Sequence, residues 1–222
     1  MSTDLHSPRI ALIHALMHSI APINEAMARD WPQATRMNLV DDSLSADLAS
    51  SGSLDAVMHE RFQRLAQYAI DCGTDAILFT CSAFGPCIEE VARQHAPIPV
   101  LKPNEAMVAA AAATGVRVGL VATFEGTLRS MPSEFPSGVQ LECVLAPGAL
   151  AALNAGDTRR HDELIVHAAL DAVQRGCRVI ALAQFSMARA QAQVAAATDL
   201  PVLTTVDSSV AMLKQRLSVI PG

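Results

Sequence analysis

Short runs of consecutive apolar residues alternate along this chain with longer stretches in which apolar residues return every three or four positions. The runs predict strands at Arg9–His14, Thr35–Leu39, Ala76–Thr80, Pro99–Leu101, Val116–Ala122, Val139–Cys143, Arg178–Ala183 and Val202–Thr204. Several are apolar almost throughout, as strands are when helices cover both faces of their sheet. Between Leu54 and Ile70 the period changes: Met58, Phe62, Leu65 and Ala69 recur at i, i+4, i+7 and i+11, with Arg61 and Arg64 between them. Ser53 is the expected N-cap of this helix and Gly73 its stop. A second long helix is expected over Thr158–Gln174, capped by Asp157, with Asp162 and Glu163 in its first turns where the helix dipole favours acids. Strand and helix signals alternating from end to end predict an α/β fold with mostly parallel sheets flanked by helices.

The pattern also repeats. Arg9-Ile10-Ala11-Leu12-Ile13 resembles Arg117-Val118-Gly119-Leu120-Val121, Ala76-Ile77-Leu78-Phe79-Thr80-Cys81 resembles Val179-Ile180-Ala181-Leu182-Ala183-Gln184, and Pro99-Val100-Leu101 resembles Pro201-Val202-Leu203. The offsets are 108, 103 and 102 residues, and Glu105 falls opposite Asp207. Two pseudo-symmetric lobes are therefore expected, residues 1–114 and 115–222, dividing at Thr114-Gly115. The last helix, Ser208–Leu217, is a candidate to return to the first lobe. Open α/β sheets bind ligands outside the carboxyl ends of their strands, so the expected site is a cleft where those ends face each other.

Composition narrows the classes. The chain has 222 residues, 51% of them hydrophobic and 17% charged, enough for a large buried core and too apolar for a disordered chain. The net charge of −6 argues against nucleic acid or an anionic membrane as partner. No run reaches the ~18 apolar residues of a membrane span. Met1–Pro8 is polar and no signal-peptide pattern follows, so the expected location is the cytoplasm. The five cysteines, at 72, 81, 87, 143 and 177, form no C-x-x-C pair and no metal spacing, and free thiols are expected. Cys72 and Cys177 each touch a glycine at a helix-to-strand junction and read as small buried hydrophobes. His14 and His18 have H-x-x-x-H spacing, but His14 ends a strand, which removes the shared helix face that a metal pair needs. No Walker A loop and no G-x-G-x-x-G occurs, and neither cofactor nor metal is expected.

Candidate chemistry gathers at two matching strand ends. Phe79-Thr80-Cys81-Ser82-Ala83-Phe84-Gly85-Pro86 and Leu182-Ala183-Gln184-Phe185-Ser186-Met187 each follow a strand and precede a helix. With Ala122-Thr123-Phe124-Glu125-Gly126-Thr127 opening the second half, they resemble the motifs of the aspartate/glutamate racemase superfamily, which includes hydantoin racemases, maleate isomerases and arylmalonate decarboxylases. The resemblance spans Arg9 to about Leu217. It implies a cofactor-independent enzyme, a homodimer, and a small carboxylate as substrate. In racemases of that family two cysteines work on opposite faces of the substrate, one removing the α-proton and the other returning it. Here position 184 is glutamine where the family usually has the second cysteine, so symmetric two-thiol racemisation is not implied.

Cys81, between strand and helix, can abstract a proton, protonate an enolate-like intermediate or add to a double bond. Gln184 carries no titratable proton; it either orients a carboxylate or an enediolate or is a polar residue at a helix start. Thr80, Ser82, Thr123, Thr127 and Ser186 bring hydroxyls and backbone N–H groups suited to a carboxylate, although each alone could be a plain cap. Ala83 and Phe185 belong to the same turns and are counted with the substrate contacts. His14 is a substrate contact or proton partner, or else a packed core histidine. Phe84, Phe124 and Phe185 line an apolar pocket or the core. Lys102 holds a second acid group, pairs with Glu105 or is solvated, and the acidic stretch Asp41–Asp47 is a lid or a solvated loop.

Three functions fit these residues. The first is a racemase or isomerase acting at the carbon next to a carboxylate through Cys81. The second is decarboxylation of a malonate-like diacid, which needs only one proton donor. The third is a carboxylate-binding protein without catalysis.

Overall fold

The computed structural model describes residues 7–219; residues 1–6 of the polar opening segment lie outside them. Two compact units form, one from residues 1–103 with 209–222 and the other from residues 104–208. The first contains β1 (Arg9–His14), α1 (Ile20–Asp30), β2 (Thr35–Val40), α2 (Ser43–Ser51), α3 (Ala56–Asp71), β3 (Ala76–Phe79), α4 (Gly85–Gln94) and β4 (Val100–Leu101). The second contains α5 (Glu105–Ala113), β5 (Val118–Ala122), α6 (Glu125–Ser130), β6 (Leu141–Leu145), α7 (Ala149–Asn154), α8 (Thr158–Gln174), β7 (Val179–Leu182), α9 (Gln191–Thr198) and β8 (Val202–Thr204). A last helix, α10 (Thr205–Val219), starts in the second unit and groups with the first from Ser209 onward.

Each unit holds one four-stranded parallel sheet. The orders are β2-β1-β3-β4 and β6-β5-β7-β8, the same arrangement twice. The register repeats as well: Ile13 lies opposite Phe79 in the first sheet and Val121 opposite Leu182 in the second. The central strands are buried on both faces, which is why they read as unbroken apolar runs. In the first unit Ile13, Ile77 and Phe79 pack with Phe62 of α3 and with Ile88 and Val91 of α4. In the second, Val121, Ile180 and Leu182 pack with Ile165 and Ala169 of α8, while Val118, Leu120 and Ala181 meet Met107 and Ala111 of α5.

That last contact moves the division between units. The sequence repeat suggests a boundary at Thr114-Gly115, but α5 buries its apolar side on the second sheet, so the chain divides at Pro103/Asn104 instead. Other ends shift by a residue or two, because hydrogen bonding rather than hydropathy terminates a strand. The α3 N-cap is Asp55, whose carboxylate accepts from the Met58 N–H at 2.9 Å, rather than Ser53. Asp157 caps α8 as expected, accepting from Arg160 N–H at 3.0 Å. The stretch Asp41–Asp47 is not an open loop: most of it is the first turn of α2 and its approach, tied down by Arg61, which reaches Asp41 at 2.6 Å and Asp47 at 2.5 Å.

Matching glycines close matching turns. Gly73 after α3 has φ +75° and Gly176 after α8 has φ +85°, the left-handed conformation a side chain resists. The neighbouring Cys177 is buried as expected, whereas Cys72 is half-buried because it sits on the turn itself as the α3 C-cap. Gly119 on β5 serves a different need. A Cβ there would lie 2.8 Å from Ala172 Cβ of α8 and 3.2 Å from Ile180 Cδ1. Gly119→Ala is therefore expected to destabilise the protein by about 1–3 kcal/mol, read as a lower denaturation midpoint at unchanged slope. An unchanged midpoint would mean that α8 can move away from the sheet at no cost.

Candidate active site

Cys81 stands two residues beyond the last pair of β3, in extended backbone with φ −127° and ψ 120°, and leads into the 3₁₀ turn Ser82–Phe84. Gln184 occupies the matching place beyond β7, with φ −132° and ψ 146°, before the 3₁₀ turn Phe185–Ala190. The two motifs singled out in the sequence are thus the same corner, once in each unit.

At the first corner His14 is fully buried and both its ring nitrogens are engaged. Nδ1 lies 2.9 Å from Thr80 Oγ1 and Nε2 lies 3.0 Å from Asn38 Oδ1. The roles follow from a chain of constraints. Asn24 Nδ2 donates to the Ile20 carbonyl at 2.8 Å, which fixes the Asn24 amide, and the same group donates to Asn38 Oδ1 at 2.8 Å. Asn38 Oδ1 is therefore an acceptor, His14 Nε2 carries the proton, and Nδ1 accepts from the Thr80 hydroxyl. Burial holds the His14 pKa below its ordinary value, with the Asn38 bond opposing it, so the ring is neutral at neutral pH. His14 is a packed strand-end crosslink between β1 and β3; its ring offers no open face to a ligand.

Part of Cys81 reaches solvent, yet protein surrounds most of the thiol. Burial pushes its pKa up, and the Ala83 backbone N–H opposes that rise. The exposed fraction understates the desolvation, because a thiol feels the whole volume of protein around it. His14, Leu44, Phe62, Phe79 and Phe84 close around its inner side and leave no room for a water molecule. Ser82 is half-buried and Ala83 exposed. Cys87, one turn into α4, is fully buried with its thiol pushed up to about 11, the environment of a structural cysteine. Lys102 pairs with Glu89 at 2.6 Å.

At the second corner Thr123, nearly buried at the end of β5, donates twice to Gln184 Oε1: from its backbone N–H at 2.7 Å and from its hydroxyl at 2.9 Å. Thr127 and Ser186 are half-buried nearby on their respective turns. Of the three phenylalanines proposed for an apolar pocket, Phe84 and Phe185 are buried, and Phe124 is 54% exposed with its ring over Gly126. Leu16 and Met17, just beyond β1, are exposed apolar residues that the sequence did not single out.

One polar cluster escaped the sequence reading. Asp162 of α8 is 3% exposed, accepts from Arg189 Nε at 3.0 and 3.1 Å, and lies 2.7 Å from His161 Nδ1. Arg189 belongs to the turn that Gln184 opens, so this ion pair ties that turn to α8. The signal was present in spacing: Asp162, Ile165, Ala169 and Ala172 share one helical stripe, which puts the acid on the inward face.

Among the described residues no cluster of three His, Cys, Asp or Glu side chains is placed to hold a metal ion. His14 is in a strand and His18, exposed, is in the 3₁₀ turn Met17–Ser19, so they share no helix face. No described helix is long and apolar enough to cross a membrane.

Residues 17–213 match the family model described as Asp/Glu/Hydantoin racemase. The chain belongs to that family. Solved structures of similar fold include an allantoin racemase from Klebsiella pneumoniae, with TM-score 0.74 and 19% identity over 96% of this chain and 89% of that one. An aspartate racemase from Picrophilus torridus aligns with TM-score 0.73 and 11% identity over 94% of each chain. A glutamate racemase from Bacillus anthracis aligns with TM-score 0.70 and 13% identity, covering 96% of this chain and 82% of its own. No curated protein matches. At these identities the neighbours establish the racemase fold, and the chemistry has to be argued from the residues of this family member.

Proposed function

We propose that this racemase-family protein is a cofactor-independent enzyme that moves a proton at the carbon α to a carboxylate of a small acid, with Cys81 as the proton-transferring group. The observation that carries the reading is the pair of equivalent corners: a thiol at one, and at the other a carboxamide whose oxygen is held by two donors from Thr123. Strand-end corners that lead into helices offer backbone N–H groups to an anion. In this reading Thr80 steadies the corner through its bond to the buried His14, and Ser82, Ala83, Thr127 and Ser186 contribute hydroxyl or backbone donors. In the same reading the protein works as a homodimer, as the resemblance implies.

A second reading, decarboxylation of a malonate-like diacid, is favoured by the state of the thiol. Loss of CO₂ leaves an enediolate that needs one proton donor, and burial keeps Cys81 protonated while Gln184 cannot titrate. Racemisation would need a second group or water on the opposite face.

Proton NMR in D₂O with amino acids, hydantoins, maleate and substituted malonates, each beside Cys81→Ala, tests both. Exchange or isomerisation that vanishes in the variant supports the first reading, and Cys81-dependent CO₂ release supports the second. Turnover that persists at full rate in the variant would falsify both. The pH profile separates the roles of the thiol. A thiol acting as acid is competent while protonated, so the rate stays level through neutral pH and falls as pH rises through a pKa above the ordinary 9.0. A rate that climbs tenfold per unit across neutral pH would instead mean that the thiolate is the working form.

A further inference from the structure

We infer that Asp162 is a positioning residue for the second corner: through Arg189 it fixes the turn Phe185–Ala190 and so keeps the Gln184 carboxamide on Thr123. Every residue involved lies in the second unit, and only the value of a fixed Gln184 to catalysis rests on the function proposed above. Gln184 opens a 3₁₀ run of six residues with no side-chain cap at its start. Such runs seldom extend beyond about three or four residues, because their hydrogen bonds are poorly aligned, so this one needs support from outside. Phe185, Met187 and Ala190 supply apolar contacts on its buried side, and Gln191, just past its end, donates from Nε2 to the Val202 carbonyl at 3.2 Å. Apolar burial has no direction and does not by itself set the turn against α8.

Direction comes from Arg189. Its side chain is 42% exposed and free to turn to water, yet Nε lies 3.0 and 3.1 Å from the two oxygens of Asp162, which is 3% exposed. A carboxylate that deep is tolerated only with its donors in place. His161 Nδ1 is one, at 2.7 Å, but it belongs to the adjacent residue of the same helix and ties Asp162 to nothing else. Arg189 is the donor supplied by another element, so a shift of the turn would strand the charge. At the other end of the turn the Gln184 carbonyl accepts from Met187 N–H at 3.0 Å, and its side-chain oxygen accepts from the Thr123 N–H and hydroxyl. The Thr123 N–H thus bonds a side chain, whereas the Ala183 N–H, one residue before Gln184, bonds the Val121 carbonyl at 2.9 Å in the sheet. The protection of the Thr123 amide therefore reports where the Gln184 side chain is, and that of Ala183 reports the sheet.

The test is amide hydrogen exchange read by NMR in the wild type, Asp162→Asn, Arg189→Lys and, as a control, Val194→Ala, which opens a fully buried site on α9. Asparagine keeps the shape and an oxygen for His161 Nδ1–H, and Arg189 without its partner can be hydrated, so the fold should survive. Asp162→Asn is expected to lower Thr123 protection by about tenfold relative to Ala183 and to Ala146, whose N–H bonds the Ala122 carbonyl at 2.8 Å. Arg189→Lys keeps the charge but loses Nε, and should give a smaller loss of the same kind. Val194→Ala should lower all three amides together. Thr123 protection that is unchanged in Asp162→Asn, or that falls only in step with Ala183 and Ala146, would reduce the ion pair to a stabilising contact and overturn the inference. So would an equally selective loss in Val194→Ala. Should Asp162→Asn fail to fold, Arg189→Lys decides by the same comparison. No ligand enters the measurement, so its outcome is independent of whether Cys81-dependent chemistry is found.

Discussion

Cys81→Ala is expected to lower turnover of any substrate found for this protein by about 100- to 10,000-fold, the usual worth of a positioned proton donor or acceptor. The fold should survive. Cys81 follows the strand in extended backbone and is only partly enclosed, so alanine leaves the β3 register and the Thr80–His14 crosslink in place. In the proposed role the thiol moves a proton and does not hold the carboxylate, so the loss should fall on kcat with KM changed little. Stopped-flow or NMR rates beside a denaturation curve would check this. Equal losses of rate and of stability would indicate a packing role for Cys81, and a rate within threefold of wild type would remove it from the chemistry.

The largest effect on stability is expected at Phe62. Its ring is 2% exposed and lies 5.1 Å from Phe79 and 4.9 Å from Phe84, centroid to centroid, stacked on the first and tilted to the second. Phe79 is the last residue of β3 and Phe84 ends the turn that follows Cys81, so one helix side chain braces both sides of the corner. Phe62→Ala should cost about 3–5 kcal/mol, combining lost burial with the cavity left behind. Phe62→Leu should recover a good part of that. The measurement is the free energy of unfolding from denaturant titration. A cost under about 1 kcal/mol for the alanine variant would show that α2 and α3 can collapse into the space.

These two residues differ in how far the sequence reveals them. Phe62 stands out because Met58, Phe62 and Ala69 follow the helical period, and all three are buried. Cys81 stands out because its segment repeats at Gln184. The apolar runs place β1, β3, β5 and β7 within two residues, since strands buried on both faces leave little room for polar residues. The family was legible for the same reason: the two corners and the turn at Thr123 are short and local.

Contacts distant in the sequence were less legible. Hydropathy alone assigns α5 to the sheet that precedes it, because nothing in Met107, Val108 and Ala111 says which sheet they cover. Asp162 read as an acid favoured by a helix dipole, and only packing against Arg189 makes it a buried ion pair. Asp41–Asp47 read as a lid or a solvated loop because its tie, Arg61, is 20 residues beyond Asp41.

The sequence by itself determined the α/β class, the duplicated four-strand plan and the racemase family, because periodicity, repeats and short motifs are local properties of the chain. Only the tertiary structure decided which nitrogen of His14 carries its proton, which end of the Gln184 amide is presented, and that Cys81 rests as a thiol. Each of these depends on which groups meet across strands tens of residues apart, and on how much water the fold excludes from them.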